Sequence, residues 1–245
     1  MEEFFRVRYE FDKKKVDEAI DNQVKSASSS YICVSDGVVL DKVNKDDEYR
    51  RMINGGLFSV CDSSYVPLYL KWLYGIRREQ YTGHQLFLHI MEKKKYRMIF
   101  LGSSHRVLKL LKERLLSIDP RVADMQFVEL PYAEAEDFDY SSIGDMINRD
   151  CPDIIWVSLG APKQEKFMHY LVPHVKHGVL ISVGAVFKFV SGVEARRAPQ
   201  WMVRNHLEFI HRIFVEPRKQ LRRSASIIGS LPRILLREYK RKNKS

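Results

Sequence analysis

The sequence predicts an α/β fold: a doubly wound, mostly parallel Rossmann-like sheet with a basic, helical C-terminal appendage. Three observations predict it. Short apolar runs rich in β-branched residues alternate with stretches of helical spacing along most of the 245 residues. Several of those runs are apolar at consecutive rather than alternate positions, as in Ile154-Ile-Trp-Val, which marks strands covered on both faces. The net charge of +10 is concentrated at one end: from Arg218 onward ten lysines and arginines stand against one acid, Glu238.

Taken in order, residues 4–11 alternate weakly, as an edge strand does, and residues 13–24 have helical spacing. Tyr31-Ile-Cys-Val is a short strand ending at Ser35-Asp36-Gly37. Residues 38–53 are helical with a break at Asn44-Lys45-Asp46, and Leu57-Phe-Ser-Val-Cys is a strand that delivers Asp62-Ser63-Ser64. Helices are expected over 66–74 and 83–93. Arg97-Met-Ile-Phe-Leu is a strand, Gly102-Ser103-Ser104 a turn and 105–117 a helix. A strand over 126–130 precedes a helix over 140–149 with Ser141 or Ser142 as its cap. The strand at Ile154 then runs through Ser158-Leu-Gly-Ala-Pro-Lys-Gln-Glu into another helix. Gly160 suits the tight turn, and Pro162 suits a first helical position, where its missing N–H costs nothing. A last strand covers 179–183 and ends at Gly184. The core is assigned to residues 1–195 and the appendage to 196–245.

Composition narrows the classes. Apolar content of 45% supports a real core. No apolar run approaches the roughly 20 residues of a membrane span, and the N-terminus lacks the apolar stretch of a signal peptide. Cys33, Cys61 and Cys151 are unpatterned, as expected of reduced thiols in a cytoplasmic protein, and each sits in or beside an apolar run where a buried small side chain is expected. The basic tail is interrupted by Ile227, Ile228, Leu231, Ile234, Leu235 and Leu236, which fits an anionic membrane surface better than nucleic acid.

Candidate chemistry gathers where predicted strands end, the place where open α/β sheets bind ligands. Asp62 follows one strand and can act as a general base or cap the next helix. Ser35 and Asp36 follow the neighbouring strand. Gly102 and Ser103 form a small-residue turn at a helix start. Lys163, Gln164 and Glu165 stand at the mouth of another, where a helix N-terminus can hold an anion. Arg196-Arg197-Ala198-Pro199 offers guanidinium groups for phosphate, and Lys219 and Arg222 share a helical face farther on. Asp137-Phe138-Asp139 spells a metal-binding D-x-D, but an acidic loop precedes it rather than an apolar strand, so no metal is expected. No His or Cys pattern has metal-ligand spacing.

Together the motifs V-S-L-G-A-P-K-Q-E-K-F, V-G-A-V-F-x-F-x-x-G, R-A-P-x-W-M, L-E-F-I-H-R and E-P-R-K-Q-L-R-R, running in order and spacing from about Cys33 to Arg223, resemble the WecG/TagA/CpsF glycosyltransferases. The resemblance implies an inverting, metal-independent transfer of a sugar, commonly N-acetylmannosamine, with no cofactor. The donor would be a UDP-sugar and the acceptor a polyprenyl-diphosphate-linked sugar, at the cytoplasmic face of the membrane, in cell-surface polysaccharide synthesis. It places the catalytic base at Asp62 and a uridine contact at Gln164. It also places basic residues of a nucleotide-closing, membrane-touching appendage at Arg212, Lys219 and Arg222. The chain departs from the family pattern at Ser35-Asp36 (family T-x-N), Ser63 (D-G), Gln80 (an arginine), Gln85 (G-x-D-L) and Lys188 (V-G-x-x-F-D). These changes fall at the sugar and acceptor end, so the nucleotide is the firmer expectation. A homo-oligomer that covers the appendage's apolar face is a further expectation. The contrasting classes are a binding-only nucleotide sensor, in which Asp62 is a cap, and a nucleic-acid-binding protein with a basic tail.

Overall fold

The computed structural model describes residues 1–193 and 217–243, with the backbone alone for 217–223. The chain opens with a hairpin of β1 (Glu2–Phe4) and β2 (Val7–Tyr9), followed by α1 (Lys13–Lys25) and β3 (Ser29–Ser35). The helical stretch after β3 is broken where expected, into α2 (Gly37–Lys45) and α3 (Asp47–Gly55), because Asp46 leaves the helical region and its carboxylate caps α3 on Tyr49 N. Then come β4 (Phe58–Cys61), α4 (Tyr65–Tyr74), α5 (Gly83–Glu92), β5 (Met98–Gly102) and α6 (His105–Leu116). They are followed by β6 (Gln126–Val128), α7 (Tyr140–Asp150), β7 (Ile154–Ser158), α8 (Lys163–Leu171), β8 (Gly178–Ser182), α9 (Val186–Ser191) and the long α10 (Pro217–Lys242).

The eight strands of the described residues join one sheet in the order β1-β2-β4-β3-β8-β7-β5-β6. Every pairing is parallel except that of the β1–β2 hairpin, which closes one edge where a single edge strand was expected. The central strands β4, β5, β7 and β8 are buried at every position, as their unbroken apolar runs require. Side chains alternate across the sheet into two cores. Ile155, Val157 and Leu180 face α2, α3, α4, α7, α8 and α10, while Ile154, Trp156 and Ile181 face α1, α5, α6 and α9.

Three local expectations are corrected. The cap of α7 is Asp139, whose carboxylate accepts from Ser142 N at 2.9 Å, rather than Ser141 or Ser142. Pro162 is the cap of α8, one position before the helix proper. Cys33 and Cys61 are buried, but Cys151 is exposed, because the end of α7 turns through the left-handed region there (φ 47°) and swings the side chain outward.

Candidate active site

The sheet's switch of sides opens the site. β3 feeds α2 on one face while its neighbour β8 feeds α9 on the other, and β7 and β5 diverge in the same way. Connections leaving in opposite directions part the loops at the strands' carboxyl ends, where ligands settle in this architecture. A cavity of about 660 Å³ lies there, lined from β3 by Val34 and Asp36, from β4 by Asp62, and from β5 by Ser103 and Ser104. The loop after β7 contributes Ser158 to Ala161, Lys163 and Gln164, and the loop after β8 contributes Gly184, Ala185 and Lys188.

Asp62 is half-buried on the wall of this cavity, and its backbone N–H donates to Ser35 O at 3.0 Å, continuing the β3–β4 ladder one residue past the strand. That bond fixes the backbone from which the carboxylate projects. Asp36 also lines the cavity, and its Oδ1 accepts from Val38 N (2.9 Å) and Val39 N (3.0 Å), so it caps α2 as well. Ser103 sits at φ 67° at the start of α6. Its hydroxyl is shielded from solvent and has no hydrogen-bond partner among the described residues, which is a cost unless a ligand supplies one.

Gln164 is the tie between two walls. Its Oε1 accepts from Gly160 N (3.1 Å) and from Gly184 N (3.0 Å), which joins the loop after β7 to the loop after β8. Its Nε2 donates to Glu165 Oε1 at 2.7 Å. Glu165 itself is fully buried, and its Oε2 accepts from Tyr49 OH at 3.1 Å. Burial pushes its carboxyl up to about 7, with the Asp36 charge adding to the rise and the Gln164 and Tyr49 hydrogen bonds opposing it.

Several expected contacts lie elsewhere. Glu165 points into the core under α8 rather than into the cavity. Ser35 is also fully buried, its hydroxyl 3.2 Å from Tyr9 OH, because the last residue of β3 turns its side chain to the sheet face that Asp36 leaves. Gly102 is a packing position: a Cβ there would stand 2.7 Å from Ser158 O. Gln80 is half-buried but does not line the cavity. Arg197 and Arg212 lie outside the described residues, and of Lys219 and Arg222 only the backbone, within α10, is described. Burial raises the Cys33 and Cys61 thiols, the latter to about 12, which keeps them protonated and unreactive. Among the described residues no three His, Cys, Asp or Glu side chains come together as a metal site, and no helix is long and apolar enough to cross a membrane. Asp139 of the D-x-D spelling is occupied as a helix cap.

Sequence reasoning missed the far wall. Thr82 and His84 reach the cavity from the start of α5, and Glu129 to Tyr132 reach it from the end of β6. Thr82 carries a readable signal, T-x-x-Q: its Oγ1 accepts from Gln85 N at 3.1 Å and Gln85 Oε1 accepts from Thr82 N at 3.0 Å. This reciprocal cap explains what the chain does with Gln85. Glu129 stands at the N-terminus of α6, where its carboxylate accepts from His105 N at 3.0 Å. Lys163 holds its ammonium 5.4 Å from the Tyr132 ring centre and 5.3 Å from that of Phe138, at the cavity's lip.

A doubly wound sheet whose strand ends converge on one acid-walled cavity defines an α/β enzyme of the Rossmann-like group. The chain belongs to the WecG/TagA/CpsF glycosyltransferase family, whose sequence profile matches residues 4–245, and it is a glycosyltransferase. It is similar to two N-acetylglucosaminyldiphosphoundecaprenol N-acetyl-beta-D-mannosaminyltransferases. One, from Bacillus subtilis (strain 168), is 28% identical over 198 residues, 76% of this chain and 75% of the relative. The other, from Bacillus spizizenii (strain ATCC 23059 / NRRL B-14472 / W23), is 25% identical over 235 residues, 91% of this chain and 88% of the relative.

Proposed function

We propose that the protein moves a sugar from a UDP-sugar to a lipid-diphosphate-linked sugar, with inversion and without a metal ion, in the synthesis of a cell-surface polymer. The observation that carries the reading is the cavity of about 660 Å³ at the strand ends with Asp62 on its wall. The relatives' name specifies a β-linked product on a diphosphate-lipid acceptor. A donor activated in the α configuration reaches that product by one inverting displacement, which needs one base and no second nucleophile.

In this reading Asp62 takes the proton of the acceptor hydroxyl as the oxygen attacks the anomeric carbon. The bond to the UDP oxygen breaks, and negative charge grows on the diphosphate. Groups placed beforehand must meet that charge. The N-terminus of α8 opens on the cavity, Ser103 lines it, and the Lys163 ammonium stands at its lip. The basic residues Arg197, Arg212, Lys219 and Arg222 are proposed to close over it from the appendage, 196–245, as the core, 1–195, holds the donor. The remaining Nε2 hydrogen of Gln164 is the donor it offers a uracil carbonyl. Acceptor and basic appendage then meet at an anionic membrane surface.

The experiment is UDP release from a panel of UDP-sugars with a lipid-diphosphate sugar acceptor, run with and without EDTA, beside protection by each donor against thermal unfolding. Release that needs the acceptor and survives EDTA supports the reading. A nucleotide sensor would show protection without release, and a chain that prefers DNA or RNA to UDP would remove the reading altogether.

A further inference from the structure

We propose that Glu165 is a positioning residue: its side-chain oxygen fixes the orientation of the Gln164 carboxamide, and through it ties the loops after β7 and β8 into one nucleotide-facing wall. The nucleotide in this statement rests on the reading of the cavity given above. The clamp itself does not.

The argument begins with the asymmetry of an amide. A carboxamide has an oxygen that only accepts and a nitrogen that only donates, and the two ends have nearly the same shape. Gln164 faces two donors, Gly160 N and Gly184 N, at 3.1 and 3.0 Å, and satisfies both with Oε1. Turned over, the same side chain would present N–H groups to two N–H groups. Both backbone donors would then be unsatisfied in a site only 3% exposed. Each such loss costs roughly 1–3 kcal/mol. The two glycine amides alone do not hold the nitrogen end. Glu165 does, because its Oε1 accepts from Gln164 Nε2 at 2.7 Å.

Glu165 is held in turn. It is completely buried, it stands on the first turn of α8, and Tyr49 OH donates to its other oxygen at 3.1 Å from α3. Whether ionised or protonated, the carboxyl offers Oε1 as an acceptor to Gln164. The chain therefore runs from α3 through Tyr49, Glu165 and Gln164 to two glycines on separate loops. Both glycines have positive φ, 80° at Gly160 and 56° at Gly184, the backbone freedom that lets each N–H turn toward one shared oxygen. Adjacent residues of one helix turn thus divide the work: Gln164 lines the cavity, and Glu165 aims it from behind without touching a ligand.

The test compares full-length wild type with Glu165→Gln, Glu165→Leu, Gln164→Leu and the Gln164→Leu/Glu165→Leu pair. It reads UDP affinity by calorimetry, donor KM and kcat separately, and hydrogen exchange at the Gly160 and Gly184 amides. Gln at 165 keeps an acceptor oxygen, so Glu165→Gln should hold UDP affinity within about threefold and keep both amides protected. Glu165→Leu keeps the volume but removes the acceptor. It should weaken UDP binding about tenfold or more, raise KM more than it lowers kcat, and speed exchange at both glycines together. In the pair, the second change should add nothing to the loss already caused by Gln164→Leu, because Glu165 acts through Gln164. If Glu165→Leu does not fold, Glu165→Asp replaces it, since withdrawing the carboxylate by one methylene breaks the same bond. Additive losses in the pair, or undisturbed glycine amides in Glu165→Leu, would overturn the clamp. If wild type does not bind UDP, the nucleotide reading fails, and the exchange measurement still decides the clamp.

Discussion

At the scale of single residues, two carboxyls are used in opposite ways. Asp62 stands on the cavity wall, half-buried, on a backbone fixed by its bond to Ser35 O. Asp62→Asn keeps the shape and removes the base. Loss of a general base costs about 10²–10⁴ in rate, so turnover should fall by about that factor while UDP affinity stays within a few-fold in calorimetry. Near-normal turnover would put the base elsewhere. Glu165 is buried away from the cavity, and its folded-state pKa of about 7 stands above the ordinary 4.5. The sign follows from proton counting: between those values the folded protein binds more protons than the unfolded chain, so stability is lost as pH rises through about 7 and is fully present below about 4.5. Glu165→Gln removes this dependence. Its melting temperature should gain on wild type from pH 5 to pH 8, by an amount on the order of 2 kcal/mol in stability. An equal difference at both pH values would show that the carboxyl does not titrate there.

At the scale of elements, the strand ends were legible and the side-chain directions were not. Ser35-Asp36, Asp62, Gly102-Ser103 and Gly160 punctuate apolar runs, and residues of all four turns come to the cavity. Which neighbour faces it depends on a rotation that punctuation does not encode: Asp36 lines it while Ser35 is buried, and Gln164 lines it while Glu165 is buried. The far wall, Glu129 to Tyr132, begins where β6 stops at Val128, short of the strand end expected at Leu130, and tertiary placement alone brings it in. α10 shows a related limit. Its apolar interruptions fit a membrane surface by sequence, yet Ile234 is buried against the core, and Ile227 lies against Gly37 at the start of α2. Polar contacts at both ends of the helix's described side chains hold it there. Asp41 of α2 accepts from Ser226 Oγ at 2.7 Å, from Ser230 Oγ, and from Lys45 Nζ at 2.8 Å. Glu238, 2% exposed, accepts from Tyr74 OH at 2.8 Å and from Arg241 Nη2 at 2.6 Å. Asp41→Ala leaves two serines and a lysine without that acceptor, at a cost of roughly 1–3 kcal/mol. It should speed tryptic cleavage within α10 by about tenfold or more before any core site is cut. Unchanged cleavage would mean that Ile234 and Glu238 alone secure the helix.

At the scale of the whole molecule, part of the charge excess and several exposed apolar groups share the helices α4 and α10 on one side of the sheet. With its inner side packed on α2 and α4, α10 presents Ile228, Leu236 and Tyr239 outward beside the exposed Arg233 and Lys240, and α4 beside it exposes Leu68 and Trp72, the latter 72% exposed. Apolar groups among cations suit the boundary of an anionic bilayer, whereas a nucleic-acid surface rewards cations and leaves the apolar groups wet. Each lysine or arginine near such a surface contributes about 1 kcal/mol, so the Arg233→Glu/Lys240→Glu pair should weaken binding to phosphatidylserine vesicles about tenfold or more. Both side chains are exposed, so the melting temperature should hold. Trp72→Ser should weaken the same binding with less dependence on salt, because it removes buried apolar area rather than charge. Cosedimentation at two salt concentrations separates the two effects. If neither variant differs from wild type, the basic, apolar side of the molecule has another partner, and the coupling of membrane contact to the appendage falls with it.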